Sequence, residues 1–197
     1  KTGDGFIDGT WTDAWAYYLG TSYAVSDKQR FELYAIGAPQ RHGQNLYKQN
    51  IATYSQDLAG SIDGYNDSAY VAGEKFETEA GRFYNQNVAP ISSDYKGKQY
   101  WYMYGDKTSD RFSPDFLNER ENFFHKPLVN LNHFYDINDD MRLSSVAYWS
   151  GGSGGGTGTY GSVSRKPAVE GEPWYASSPW MWDWNAEIAQ NSANVDS

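Results

Sequence analysis

The chain has 197 residues with a net charge of −9, a pI near 4.7 and no cysteine. The acidic balance argues against a nucleic-acid partner, because the chain repels phosphate backbones, and the missing thiols exclude disulfide staples and thiolate chemistry. Aromatic residues make up 17% of the chain while mean hydropathy is −0.76, a pairing foreign to disordered chains and to Leu/Ile-based cores. Aromatic-girdled strands with polar loops give this balance, and so does a secreted carbohydrate-binding β-sandwich. The longest apolar runs are a few residues, short of the ~18 that a membrane-crossing helix needs.

In chain order, Lys1 to Asp8 resembles the middle of a calcium-binding EF-hand loop, but the position needing a bidentate Glu falls on Trp11. A Gly/Asp loop leading into a strand is the expected reading. From about residue 10 to 25 the sequence alternates. Trp11, Asp13, Trp15, Tyr17, Leu19, Thr21, Tyr23 and Val25 share one face, while Thr12, Ala14, Ala16, Tyr18, Gly20, Ser22 and Ala24 share the other. Period two means strand. Ser26-Asp27-Lys28-Gln29 is a short polar turn, and a second strand runs over 30–38, with Phe31, Leu33 and Ala35 on one face, until Pro39 ends it.

The interval 40–122 is rich in Asn, Gln, Asp, Gly and Tyr and reads as a long loop. A structureless stretch of roughly eighty residues counts against a compact soluble domain but is expected between barrel strands, whose loops are long on one side. Strands then follow at 123–137 and 141–150, joined by Asn138-Asp139-Asp140. Val129, Leu131, His133, Tyr135 and Ile137 share a face there. A second loop, 151–179, begins with a glycine run. Its G-x-S-x-G and G-x-G-x-x-G matches lack the following helix that either motif requires. Trp180 to Trp184 alternates like the start of a fifth strand, read over 180–190.

His42, His125 and His133 have no metal-ligand spacing, and the abundant carboxylates form no recognisable catalytic pair. No catalytic residue, metal or cofactor is expected, and the chain reads as a non-enzyme. The fold class expected is all-β: about five antiparallel strands of a transmembrane β-barrel, incomplete, with long extracellular loops. Five strands cannot close a membrane barrel, and open edges in lipid leave backbone groups unpaired. The chain therefore reads as a fragment.

Three stretches carry a family resemblance. They are Glu32 to Gln44 (ELYAIGAPQRHGQ), Asn118 to Pro127 (NERENFFHKP), and Ala147 to Gly152 (AYWSGG) with the glycines after it. In this order and spacing they resemble the barrel of TonB-dependent outer-membrane receptors of Bacteroidetes-like bacteria, over most of the chain. The resemblance implies a 22-stranded barrel in the bacterial outer membrane, importing a nutrient ligand such as a glycan, peptide or metal chelate. The implied partners are the lipid bilayer, the ligand, the rest of the barrel with its plug, and the TonB complex. Neither a plug nor a TonB-contacting segment is recognisable in these residues. The ligand-binding loop candidates are Arg41, His42, Asn45, Tyr47, Trp101 and Tyr104. A secreted carbohydrate-binding β-sandwich is the alternative, opposed by the long interval 40–122 where short strands should recur every ~8–12 residues. A glycoside hydrolase fragment finds no motif.

Overall fold

The structure is a computed structural model describing residues 1–66, 78–102, 106–172 and 179–194. Its elements are, in order, β1 (Thr2–Asp4), β2 (Trp11–Ala14), β3 (Tyr17–Ser26), β4 (Gln29–Gly37), β5 (Gln40–Gly43), α1 (Ile51–Tyr54), α2 (Gln56–Ser61), β6 (Val88–Pro90), β7 (Gln99–Tyr102), β8 (Asp106–Ser109), β9 (Phe116–Asn118), β10 (Glu121–His125), β11 (Leu128–Asn138), β12 (Met141–Ser150), β13 (Ser153–Gly156), β14 (Arg165–Pro167), β15 (Trp180–Trp182) and α3 (Trp184–Ala193). The fold is mostly antiparallel β with few helices, and no closed barrel forms among the described residues. No helix among them is long and apolar enough to cross a membrane, which has no bearing on crossing by strands.

Two compact units can be distinguished. The first comprises residues 1–3, 12–42 and 122–156, the second 4–11, 43–121 and 157–197.

The first unit is built on a four-stranded sheet of order β12-β11-β4-β3. Both expected hairpins are present, and they are built alike. The β3–β4 ladder skips Val25 and closes with Ser26 opposite Gln29. The β11–β12 ladder skips Ile137 and closes with Asn138 opposite Met141. Each is therefore a bulge followed by a two-residue turn, which re-aims the strand just before it reverses. In each turn a side chain accepts from the backbone: Lys28 N–H donates to Ser26 Oγ (3.3 Å) and Asp140 N–H to Asn138 Oδ1 (3.0 Å). This is the local hydrogen bonding that makes Ser and Asn turn residues.

Two long strands expected from the sequence are broken. The stretch 10–25 is β2 and β3, with Trp15-Ala16 between them, and 123–137 is β10 and β11, with Lys126-Pro127 between them. The reason is proline, which has no N–H to give the ladder. At these breaks Trp15 N–H donates to Pro39 O (3.2 Å) and Gly151 N–H to Pro127 O (3.1 Å), so the prolines serve only as acceptors. Past the breaks the neighbours recur in the same order, since the second sheet runs β1-β2-β5-β10-β13.

The expected fifth strand over 180–190 is a correction. Only Trp180–Trp182 is strand, and α3 follows. Asp183 stops the alternation by capping the helix, its Oδ1 accepting from Ala186 N–H (3.2 Å). Ala186, Glu187, Ala189 and Gln190 then supply good helix formers. The loops 40–122 and 151–179 also contain regular elements, including β6 paired with β9 in the first and β14, which pairs with β15 beyond it, in the second.

The second unit has a polar core. Beside buried Trp11, Ala52, Ala59, Tyr84, Ala89, Ile91 and Trp182 lie buried Thr53, Asn85, Asn87, Asn118, Glu119 and Glu121. Asparagines stitch its irregular backbone together. Asn85 Nδ2 donates to Asp8 O (2.9 Å) and Gln44 O (3.2 Å), and Asn118 Nδ2 donates to Gly9 O (3.0 Å) and Gln44 O (2.9 Å). Leu46 N–H donates to Asn87 Oδ1 (2.8 Å). An amide side chain both donates and accepts, so it satisfies buried loop backbone that no ladder reaches. The Trp11 ring stacks on Phe112 at 3.9 Å and 1°. This explains how an Asn- and Gln-rich interval without helical or strand period still folds.

Candidate functional site

The four long strands present two unlike faces. Cross-strand register puts Leu19, Ala35, Val129 and Trp149 in one row, then Thr21, Leu33, Leu131 and Ala147, then Tyr23, Phe31, His133 and Ser145, all on one side. The aromatic groups gather toward the two ends. Near the turns Phe31 stacks on His133 (4.4 Å, 13°), with Tyr135 beyond (6.3 Å). At the other end Tyr17 packs near Trp15 (5.5 Å) and its hydroxyl meets His125 Nε2 at 3.0 Å. The rows between are mainly aliphatic, with Thr21 and Trp149 on the two edge strands.

The opposite face carries Ser22, Glu32 and Asn132 in one row and Gly20, Tyr34, Asn130 and Tyr148 in the next. Its polar groups pair with each other. Arg30 Nε lies 3.1 Å from Glu32 and Arg142 Nε 2.5 Å from Asp136. The Tyr34 hydroxyl donates to Glu32 (2.8 Å) and Asn130 Nδ2 to Asn132 Oδ1 (2.9 Å). Its apolar and aromatic members are Ala24, Ile36, Leu128, Phe134 and Val146 with Tyr18, Tyr34 and Tyr148, and Tyr18 stacks near Tyr34 (6.3 Å).

Neither face is covered. Among the four strands only Gly37 is buried, and every residue of β12 is exposed. Tyr23 is 69% exposed, Leu19 59% and Trp149 60%. A contiguous apolar face of this kind marks an interaction surface. Both outer edges, β3 and β12, end the sheet unpaired among the described residues. Edges of ten residues are a template for further strands.

The second unit holds a cavity of about 490 Å³ lined by Tyr95, Arg111, Glu119, Thr159, Trp184 and Glu187, among others. The side chain of Glu119 is 2% exposed. Its carboxylate accepts from Asn87 Nδ2 (3.0 Å) and Thr159 Oγ1, and Arg120 Nε lies 3.7 Å away, an ion pair without a hydrogen bond. Arg120 Nη2 also donates to the Tyr47 hydroxyl (3.3 Å). That hydrogen bond, with the nearby charge of Glu119 adding to it against burial, raises the Arg120 pKa and keeps it a cation.

Of the loop residues nominated from sequence, Arg41, His42, Asn45 and Tyr47 do not line this cavity. Arg41 and His42 lie in β5 in the first unit, while Asn45 and Tyr47 belong to the second. The side chain of Trp101 and the whole of Tyr104 lie outside the described residues. The lining side chains come from segments far apart in sequence, so no local motif announced them. The Glu119-Arg120 pair was visible only as two charges among many.

No family model, curated protein or solved structure matches the chain. Its physical features are therefore what speak to function.

Proposed function

We propose that this chain is a segment of a TonB-dependent outer-membrane receptor, with β3, β4, β11 and β12 forming part of a transmembrane barrel wall. One observation carries the reading. It is the uncovered, two-faced sheet, with a mainly aliphatic band between aromatic ends on one side and, on the other, self-paired polar groups interspersed with tyrosines and a few apolar residues. Water makes such an apolar face costly, while lipid outside and an aqueous lumen inside suit both faces. The dimensions fit. A ten-residue strand at ~3.3 Å per residue and a tilt of ~40° rises ~25 Å, the height of an outer-membrane apolar band.

The open edges of β3 and β12 would be closed by further strands of the barrel, since unpaired backbone in lipid costs several kcal/mol per group. The short turns at Asp27-Lys28 and Asp139-Asp140 belong on the periplasmic side. The stretches 43–121 and 157–197 leave the opposite strand ends and serve as extracellular loops that capture a nutrient ligand. Transport follows when a plug, driven through TonB, opens the lumen. The chain binds and conducts but performs no catalysis. A secreted sandwich would instead bury the apolar face against a second sheet.

Detergent dependence tests this. The chain should stay dispersed only in detergent micelles or lipid and precipitate on detergent removal. A stable monomer in plain buffer would contradict it.

A further inference from the structure

We infer that the cavity of the second unit takes a small organic ligand bearing a carboxylate, anchored by Arg111 with Trp184 as a second donor. This rests on the reading of that unit as the ligand-capturing part, and it adds the chemical class of the ligand.

The hydrogen-bond inventory of the wall carries the argument. The buried carboxylate of the wall is already engaged, and one oxygen of Glu187 is too. The Glu119 oxygens take Asn87 and Thr159, and Glu187 Oε1 takes the Ser164 N–H (2.7 Å). The cation Lys98 is engaged with Asp110 (3.2 Å). What remains unmatched are donors: Arg111 Nη1 and Trp184 Nε1 are shielded from water, and neither has a partner among the described residues. An indole N–H and a guanidinium can only donate, so nothing but an incoming acceptor satisfies them. Buried polar groups left unpaired in a folded protein are rare enough to need a reason.

The charge points the same way. Among the described residues Arg111 has no carboxylate at ion-pair distance. Its guanidinium is held nonetheless, with Nη2 donating to Tyr95 O (2.7 Å) and the group lying 5.2 Å from the Tyr95 ring centroid. That leaves a planar cation, tethered at one side, whose Nη1 and second Nη2 hydrogen form a fork that matches a carboxylate. Because Nη1 is covered when the cavity is empty, binding requires a side-chain-scale shift of the guanidinium on the Tyr95 ring.

A peptide C-terminus and a uronic sugar offer the same carboxylate, so the test uses both sources. Trialanine, trialanine amide, glucuronate and glucose are titrated into the whole 197-residue chain in detergent micelles, read by calorimetry and tryptophan fluorescence. At least one acid should bind at least about tenfold more tightly than its neutral counterpart. The pair showing the gap identifies the source. Arg111→Gln should erase the gap and Arg111→Lys should keep part of it. If Arg111→Gln fails to fold, Trp184→Phe is the second variant and should weaken the acid severalfold. Equal binding of acid and neutral probe in both pairs would overturn the assignment, as would the absence of saturable acid binding up to about 10 mM. Failure here with lipid insertion intact removes only the ligand assignment. Binding by a chain that needs no detergent removes only the membrane reading.

Discussion

Phe31 and His133 stand directly opposite each other in the β4–β11 ladder, their rings 4.4 Å apart and within 13° of parallel. Gln29 Nε2 holds His133 Nε2 at 2.9 Å. A histidine on an exposed apolar face is thus fixed by a ring below and an amide beside it. It sits at the turn end of the sheet, where the aromatic rows gather. The pair marks one rim of the band whose two sides differ so sharply.

That difference predicts a charge asymmetry. Leu33 and Leu131 are directly opposed in the middle of the band. Leu33→Lys or Leu131→Lys should destabilise the lipid-embedded form by ~2–4 kcal/mol, the cost of a basic residue near a bilayer midplane. Asn132→Lys, on the other face beside Glu32, should cost under ~1 kcal/mol. Denaturant unfolding in lipid vesicles reads both.

The second unit depends on a close approach at Gly43. A Cβ there would lie 2.5 Å from Trp11 Nε1 and 2.9 Å from Asn118 Nδ2, both on buried side chains. Gly43→Ala should therefore cost ~1–3 kcal/mol by overpacking. Gly60 in α2 has nothing within 4 Å of its Cβ position. Gly60→Ala should be neutral or stabilising by up to ~1 kcal/mol, through helix propensity. Chemical denaturation of the two variants makes the comparison.

Alkaline pH should loosen the same unit. Burial raises the Tyr84 phenol above its ordinary value, although its hydrogen bond to Trp180 O pulls the other way. The folded state then keeps the proton that the unfolded chain releases near pH 10. Stability from this group is complete below pH 10 and is lost as pH rises beyond it. Tyr84→Phe should flatten the alkaline limb of a melting-temperature profile while lowering stability at neutral pH through the lost hydrogen bond.

Much of the first unit was legible in the sequence, because its strands alternate with period two. The shared face of Phe31, Leu33 and Ala35 with Val129, Leu131 and His133 follows from that period, and the register agrees. The turn at Asn138-Asp139-Asp140 was legible because the apolar alternation stops at Asn and Asp. The breaks were harder to read. By pattern Pro39 reads as an end and Pro127 sits inside an unbroken strand, whereas each interrupts a strand that resumes. Alternation misled at Trp180 to Trp184, where the Asp183 cap outweighed the pattern. The second unit was hardest. Asn85, Asn87 and Asn118 work by pairing with distant backbone, and such contacts leave no period. The same holds for Arg111 and Trp184, which line one cavity from positions 73 residues apart, 184 − 111.

The central claim is that one face of this sheet contacts lipid. The chain has no cysteine, so single cysteines can carry a fluorophore at Leu19, Leu33 and Leu131 on one face, and at Ser22, Glu32 and Asn132 on the other. With the chain in vesicles containing brominated acyl chains, strong quenching should follow the first set and weak quenching the second, alternating residue by residue. Equal quenching of both sets, or none in either, would contradict the account.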